Sequence, residues 1–383
     1  MLYLPAEFPH ENDLCYLNHA AVAPWPKRAA EAVQRFAFEN MTCGAEKYPA
    51  WMEVERELRE RLRWLINAPS ADDIALVKNT SEGLSFVAAG LEWQPGDQVI
   101  GIADDFPSNR IVWESLAPQG VKFVPVNTNA ESDPEAALIA QINGNTRLLA
   151  ISSVHFATGV RLDLERLSSA CRQHGVLLCI DAIQSLGAVR FDLEKTPADF
   201  VIADGHKWML GPEGLGIFYV NPALRDQLRL TQFGWAMREA PSDYTSAPWE
   251  PAHSARRFEA GSPNMLGIHA LHAAIGLFKE VGFDQIEASL KQNIGLLRDL
   301  LSGTSGLTVR TPTDEGRSAG ILSIHLEGLD HDMLWKVLID QRVVCASRGG
   351  FLRLSPHFYT RTQTIENAAD KIKLTIQNMR NES

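Results

Sequence analysis

Between Ala75 and Val220 the chain alternates short β-rich runs with stretches of helical periodicity, and this rhythm constrains the fold more than any other feature. The strand candidates are Ala75–Lys78, Gln98–Ala103, Val121–Val126, Arg147–Ser152, Val176–Asp181, Asp199–Ala203 and Leu215–Val220. Helical patterns fall between them at Glu82–Leu91, Ser108–Leu116, Pro134–Ile142 and Leu162–His174. The run Val176-Leu-Leu-Cys-Ile180 is apolar on both faces, as a strand covered by helices on both sides must be. The expected fold class is therefore α/β, with a mainly parallel seven-stranded sheet wrapped on both faces by helices. The link from Ala203 to Leu215 is too short for a crossover helix, so the last strand is expected to run antiparallel.

The pattern changes after Arg257. Long amphipathic helices at Met265–Val281 and Phe283–Leu301 lead into strands near Leu307–Arg310 and Ile321–Leu326. A helix at Asp332–Asp340, strands at Val343–Cys345 and Phe351–Leu354, and a last helix near Gln363–Met379 complete a smaller α+β domain. The expected division is an N-terminal segment, 1–15, that packs with the small domain, a large α/β domain, 16–256, and the small domain, 257–383.

A chain of 383 residues with 45% hydrophobic side chains buries roughly three-quarters of its surface and needs no disulfide or metal staple. The net charge of −11 and the absence of basic runs argue against nucleic acid as a partner. Five cysteines are scattered without a CxxC pair, which suits reduced thiols and gives no reason to expect zinc or another metal. No run approaches the roughly 18 apolar residues of a membrane span. The start Met1-Leu-Tyr-Leu-Pro-Ala-Glu-Phe8 lacks the basic flank and apolar stretch of a secretory leader, so a cytoplasmic location is expected.

In open α/β sheets ligands bind outside the carboxyl ends of the strands, and several polar features fall there. Asn79-Thr-Ser-Glu-Gly83 follows one strand and opens a helix, so Thr80 and Ser81 either cradle a phosphate or cap their own helix. Asp181 closes the buried strand and suits a helix cap, a magnesium ligand or a counter-ion to a cationic ligand. Lys207, in Asp204-Gly-His-Lys-Trp208, is poorly placed for solvent. Desolvation would free its amine as a nucleophile toward a carbonyl, whereas most lysines reach water along their stems. Phe106, just past a strand, is either core or a ring that stacks on a ligand. Arg353, inside the apolar strand Phe351-Leu-Arg-Leu-Ser355, needs an anion, from a structural acid or from a substrate carboxylate. Together a phosphate cradle, a stacking ring, a carboxylate and a lysine meet the needs of pyridoxal 5′-phosphate. The glycine-rich Gly211–Gly216 lacks a P-loop lysine and leads into a strand, which excludes an ATP site.

These strings also resemble a family. Tyr16-Leu-Asn-His-Ala-Ala21, Asn79–Gly83, Asp181-Ala-Ile-Gln184, Gly205-His-Lys-Trp208, Gly211–Gly216, Arg257-Phe-Glu-Ala-Gly-Ser-Pro-Asn264 and Leu352-Arg-Leu-Ser-Pro-His-Phe-Tyr359 are similar to the fold-type I, class V aminotransferases. That family includes cysteine desulfurases, isopenicillin-N epimerase and kynureninase. The resemblance spans nearly the whole chain and implies a fold-type I pyridoxal-phosphate-dependent transferase acting on a small amino acid. Lys207 becomes the Schiff-base lysine and Asp181 the partner of the pyridinium nitrogen. Gln184 is implied at the phenolic oxygen, with Thr80, Ser81 and His206 at the phosphate and Phe106 stacked on the ring. Ser262 is implied to reach the phosphate of a second subunit in a homodimer with shared sites, and Arg353 to clamp the substrate α-carboxylate. His19 either contacts substrate or caps a turn, and Arg348 either binds a second carboxylate or faces solvent.

Three departures bear on the reaction. Asp204 stands where desulfurases carry a serine that donates to the phosphate. A carboxylate about 4 Å from a phosphate charge costs roughly 4 kcal/mol at an effective dielectric of 20, so Asp204 is expected to turn away or to accept from donors such as the Thr80 hydroxyl. The stretch Val154-His-Phe-Ala-Thr-Gly159 offers Phe156 where desulfurases place an asparagine. The long loop that bears the persulfide-forming cysteine is missing, and Cys345 reads as core. The expected chemistry is therefore α-proton removal leading to transamination or epimerisation. Cysteine desulfurase, selenocysteine lyase or C–S lyase activity is the alternative, and a non-catalytic regulator built on the same fold is a third reading.

Overall fold

The computed structural model describes residues 4–129, 131–245 and 248–381. Its central sheet has seven strands: β1 Ile74–Val77, β2 Gln98–Ile102, β3 Lys122–Val126, β4 Thr146–Ser152, β5 Leu177–Asp181, β6 Phe200–Asp204 and β7 Gly216–Val220. Their spatial order is β1-β7-β6-β5-β4-β2-β3. All neighbours pair in parallel except β7, which is antiparallel to both β1 and β6. The short β6–β7 link dictates this, because it has no room for a crossover helix.

Alternation along the strands builds two apolar faces. Leu178 and Ile180 of β5, Val201 and Ala203 of β6, and Ile217 and Tyr219 of β7 face one core. Cys179, Phe200, Ile202, Phe218 and Val220 face the other. The helices longer than four residues are α1 Lys27–Cys43, α2 Tyr48–Ile66, α3 Thr80–Gly90, α4 Ser108–Glu114, α5 Pro134–Ile139, α6 Leu164–His174, α7 Met265–Val281, α8 Phe283–Leu301, α9 His331–Asp340 and α10 Thr362–Asn381. The first face is covered by α2, α6 and α7, and the second by α3 and α4.

Helices α1 and α2 went unread in the sequence. The signal for α2 was present, since Trp51, Glu55, Leu58, Leu62, Leu65 and Ile66 recur at helical spacing and all turn inward. A buried ion-pair network fastens this helix to the sheet. Arg59 pairs with Glu55 and with Glu259, both at 2.6 Å, and Glu259 also accepts from the Leu76 amide.

A second, four-stranded antiparallel sheet is built from β8 Leu307–Val309, β9 Leu322–Leu326, β10 Ala346–Arg348 and β11 Phe351–Leu354, in the order β10-β11-β9-β8. Its core joins α8, α9 and α10 with Cys15 and Leu17, and Cys15–Tyr16 pairs in parallel with Val343–Val344. Strand β10, unread in the sequence, turns through Gly349 and Gly350, both at positive φ, into β11.

Helix α3 lies so close to β6 that a Cβ on Gly83 would sit 2.7 Å from Ile202 Cγ2. Gly83→Val is therefore expected to cost about 1–3 kcal/mol through overpacking. The readout is a lowered thermal midpoint, and an unchanged midpoint would contradict this packing.

Candidate active site

Strands β2 and β4 are neighbours in the sheet but leave it in opposite directions, and the crevice outside such a switch point is where open α/β sheets bind ligands. A cavity of about 310 Å³ opens at these strand ends. It is lined by Thr80 and Ser81 at the start of α3, Phe106 and Ser108 after β2, and Phe156 after β4. Asp181 at the end of β5 and Gln184 after it, Asp204 at the end of β6 with His206 and Lys207 after it, and Arg348 and Arg353 from the β10–β11 hairpin also line it. The sequence-derived candidates Lys207, Asp181, Thr80, Phe106 and Arg353 thus share one space.

Lys207 is 9% exposed, and its amine makes no hydrogen bond among the described residues. Its Nζ lies 5.6 Å from the centre of the Phe106 ring. Burial lowers its pKa to about 8, against the pull of Asp181 and with help from Arg353. The turn that presents it is pinned: Gly205 N donates to Leu215 O, Gly211 N to Gly205 O and Leu210 N to Lys207 O. Leu210 sits there at a φ of 59°, a left-handed conformation that a bulky side chain takes only when its surroundings impose it.

Asp181 is buried, and burial raises its pKa. Two donors oppose that shift: Ile183 N to Oδ1 at 3.0 Å and Asn109 Nδ2 to Oδ2 at 2.7 Å. Asn109 was not singled out in the sequence. The usable signal was its place one turn after Asp105 at a strand end, with Ser152 and Asp181 registered opposite each other in β4 and β5.

The α3 N-terminus is capped by Asn79, whose side chain accepts from Glu82 N at 2.9 Å. Thr80 and Ser81 therefore do not cap their own helix, and their backbone amides have no acceptor among the described residues. Ser81 Oγ lies 2.8 Å from Ser108 Oγ. Asp204 does not turn away as expected. It lines the cavity, and in place of a Thr80 hydroxyl bond to its carboxylate, its backbone amide donates to Thr80 Oγ1 at 3.1 Å. With one lone pair taken in this way, the Thr80 hydroxyl proton is free to point at a ligand. Asp204 Oδ1 approaches His206 Nδ1 at 3.1 Å without hydrogen-bond alignment, and both atoms remain buried and unpartnered.

Gln184 faces the cavity with most of its amide engaged, since Nε2 donates to Ala20 O at 3.0 Å and Oε1 accepts from the Trp208 indole at 2.8 Å. One amide hydrogen is left for a ligand oxygen. Arg353 is 2% exposed and has no carboxylate partner among the described residues. Nη1 donates to Phe156 O at 2.7 Å, while Nε finds no acceptor. Burial, aided by Arg348, depresses this guanidinium to about 9, which marks a cation awaiting an anion.

Other candidates fall elsewhere. His19 is fully buried outside the cavity lining, with Nδ1 2.8 Å from Ser355 O and Nε2 2.7 Å from Tyr359 Oη, so it ties the N-terminal loop to the 355–359 segment. Ser262 is exposed and does not line this cavity. Arg348 lines the cavity but is exposed, with Nη1 donating to Ser347 O. Phe106 is 44% exposed, which excludes the core reading. Cys345 is core, and burial pushes its thiol up to about 12.

The donor set fits pyridoxal phosphate. It combines an amine without a partner, a buried carboxylate for a ring nitrogen, helix amides and hydroxyls for a phosphate, and an aromatic face. The unpartnered atoms of Asp204, His206 and Arg353 mark where a polar ligand would complete the cavity.

Comparison with known proteins agrees. The family described as Aminotransferase class-V matches residues 15–357. A probable cysteine desulfurase of Pyrococcus abyssi is 27% identical over 98% of this chain and 97% of its own. Isopenicillin N epimerase of Streptomyces clavuligerus is 28% identical over 93% of each. Among solved structures, a C-DES mutant with glycine covalently linked to the PLP cofactor superposes with a TM-score of 0.89 at 22% identity, covering 96% of this chain and 98% of that one. The cysteine desulfurase CsdA of Escherichia coli superposes with a TM-score of 0.87 at 22% identity, covering 99% of each.

If Arg353 serves an absent anion, then Arg353→Met should leave the stability of the ligand-free protein unchanged or raise it, since a buried charge without a counter-ion is removed. A loss of more than about 3 kcal/mol on urea denaturation would show instead that the guanidinium holds the fold.

Proposed function

The chain belongs to the class V aminotransferases, which are pyridoxal-phosphate-dependent enzymes, and on that premise we propose that it removes the α-proton of a small amino acid to transaminate or epimerise it. One observation carries this reading: the Lys207 amine, which makes no hydrogen bond among the described residues, the Asp181 carboxylate and the anion-seeking Arg353 line a single cavity. Bound pyridoxal phosphate supplies an aldehyde for amine exchange and a ring that spreads the charge left on the α-carbon.

The protein groups do the rest. Arg353 holds the substrate α-carboxylate through its free Nε edge. Lys207 Nζ, already lowered to about 8, takes the α-proton as general base, a role worth roughly 10²–10⁴ in rate. Asp181 keeps a proton on the ring nitrogen. Asn109 and Ile183 hold its carboxylate in the charged form that this requires. Thr80, Ser81 and His206 would hold the phosphate, Gln184 would meet the phenolic oxygen with its remaining hydrogen, and Phe106 would support the ring, all from the lining of the cavity. The exposed Ser262 reaches the phosphate of a second copy, so the working unit is a homodimer with shared sites. No helix among the described residues is long and apolar enough to cross a membrane, and a cytoplasmic location belongs to the same reading.

Cys345 argues against a protein-bound persulfide, because its thiol is buried, raised to about 12 and absent from the cavity lining. A second reading is favoured by the relatives, several of which are named cysteine desulfurases, and by a superposable structure described as the cystine C–S lyase C-DES. A cavity without a thiol suits direct elimination of sulfur as well as it suits transamination.

Lys207→Ala is expected to abolish the visible absorbance of the lysine-bound cofactor and turnover with every amino donor; an unchanged spectrum and rate would remove the base assigned here. In the wild type the fraction of neutral Lys207 rises with pH, from roughly a tenth at pH 7 to about half at pH 8, so the ligand-free enzyme should form its lysine adduct more completely as pH rises through about 8. Product analysis of a pooled amino-acid reaction should show keto acid or loss of optical activity. Sulfide release that survives Cys345→Ser would favour the C–S lyase reading, and sulfide release abolished by that change would restore a persulfide mechanism.

A further inference from the structure

Behind Asp181 lies a second buried carboxylate that these roles leave unused. Asp105, just past β2, is 5% exposed and accepts three hydrogen bonds. Ser152 Oγ and Phe106 N both donate to Oδ1 at 2.7 Å, and Ser152 N donates to Oδ2 at 3.2 Å. Ser152 Oγ in turn accepts from Asn109 Nδ2 at 3.1 Å, the same nitrogen that donates to Asp181 Oδ2 at 2.7 Å. Asn109 Oδ1 is buried without a partner among the described residues.

The chain has a direction. An ionised carboxylate only accepts, so the Ser152 hydroxyl must give its single proton to Asp105. Ser152 Oγ is then only an acceptor toward Asn109, and the amide must present its NH₂ group to Ser152 and Asp181 together. A proton on Asp105 reverses this logic. Asp105 can then donate to Ser152 Oγ, the Ser152 proton becomes available to Asn109 Oδ1, and the amide is free to rotate its carbonyl toward Asp181. An acceptor facing a buried carboxylate raises that carboxylate's affinity for a proton.

We propose that Asp105 is a positioning residue that fixes the direction of the Ser152–Asn109 hydrogen-bond chain and so keeps Asp181 ionised, as a bound cofactor's ring nitrogen would require. The proposal rests on the pyridoxal-phosphate reading above. It also accounts for an acid beside Phe106, because the same carboxylate holds the backbone of the residue whose ring lies over the Lys207 amine.

Burial pushes Asp105 up to about 7, with the Asp181 charge adding to the shift and the Ser152 and Phe106 donors resisting it. The chain is therefore directional above neutrality and reversible below it. The charged group facing Asp105 is Asp181 on β5, while the facing residues of β4 and α4, Ser152 and Asn109, are neutral. Asp104, its neighbour in sequence, lies 3.8 Å from His155 Nε2, and burial holds that histidine below its usual range. Lys207 acts on Asp181 from the cavity side.

The test compares the full-length wild type with Asp105→Asn and Ser152→Ala. The dissociation constant for pyridoxal phosphate and the visible spectrum of the bound form are followed between about pH 6 and about pH 9, with thermal midpoints of the ligand-free proteins as a check on folding. Both variants should bind about tenfold more weakly at the alkaline end, and the gap from wild type should close at the acid end, where wild-type Asp105 is protonated. The wild-type spectrum should show a step near neutrality that both variants lack. If Asp105→Asn does not fold, Ser152→Ala, which cuts the chain while keeping both carboxylates, carries the same expectations. Dissociation constants equal to wild type, or pH curves that run parallel to it, would overturn the role of Asp105. Failure of the wild type itself to bind pyridoxal phosphate would instead defeat the functional reading.

Discussion

Lys207, Asp181 and Arg353 interact across a cavity that holds all three away from bulk water, and much of the remaining structure serves to keep them there. Desolvation penalises each charge, which brings the amine to about 8 and the guanidinium to about 9 and raises the carboxylate. Asp181 has a donor on each oxygen, whereas the two cations are left unsatisfied among the described residues. The amine has no hydrogen bond, and the guanidinium lacks a carboxylate partner among the described residues. A fold optimised only for stability would replace such groups with apolar ones. Their retention is the physical signature of a site completed by a ligand.

The sheet makes this arrangement possible. Parallel strands buried on both faces bring their carboxyl ends to one edge, and each end delivers one functional element: Thr80 after β1, Phe106 after β2, Ser152 on β4, Asp181 on β5 and Asp204 on β6. The reversed strand β7 follows from a link used for a lysine-bearing turn and not for a helix. The four-stranded sheet contributes as well, where β10 and β11 carry Arg348 and Arg353 to the same cavity. Cys345 is buried beside that hairpin, outside the lining of the cavity that the amine, carboxylate and guanidinium share.

Sequence reading reached the seven strands to within a residue or so at each end, because apolar runs in a sheet covered on both faces leave a strong local signal. It passed over α1 and α2, which carry an equally regular helical stripe before the first strand. Among site residues, Lys207 and Asp181 were legible because a charged group that ends an apolar strand has few structural explanations. Asn109, Ser152 and Asp105 were not, since their importance lies in a chain of hydrogen bonds between strand ends that are far apart in sequence. His19 was ambiguous for the same reason, and both of its ring nitrogens proved to be held by the 355–359 segment.

By itself the sequence determined the strand and helix grammar, the family resemblance and the chemical types available: one amine after a strand, acids at neighbouring strand ends, an arginine in an apolar strand. These are local properties, set by side-chain periodicity and by what a buried backbone tolerates. Only the tertiary structure decided which groups keep a free valence. It assigned the Thr80 lone pair to the Asp204 amide, both ends of the Gln184 amide to protein partners, and no carboxylate among the described residues to Arg353. Hydrogen-bond saturation is a property of neighbours in space, and the strand order that makes those neighbours depends on packing across the whole sheet.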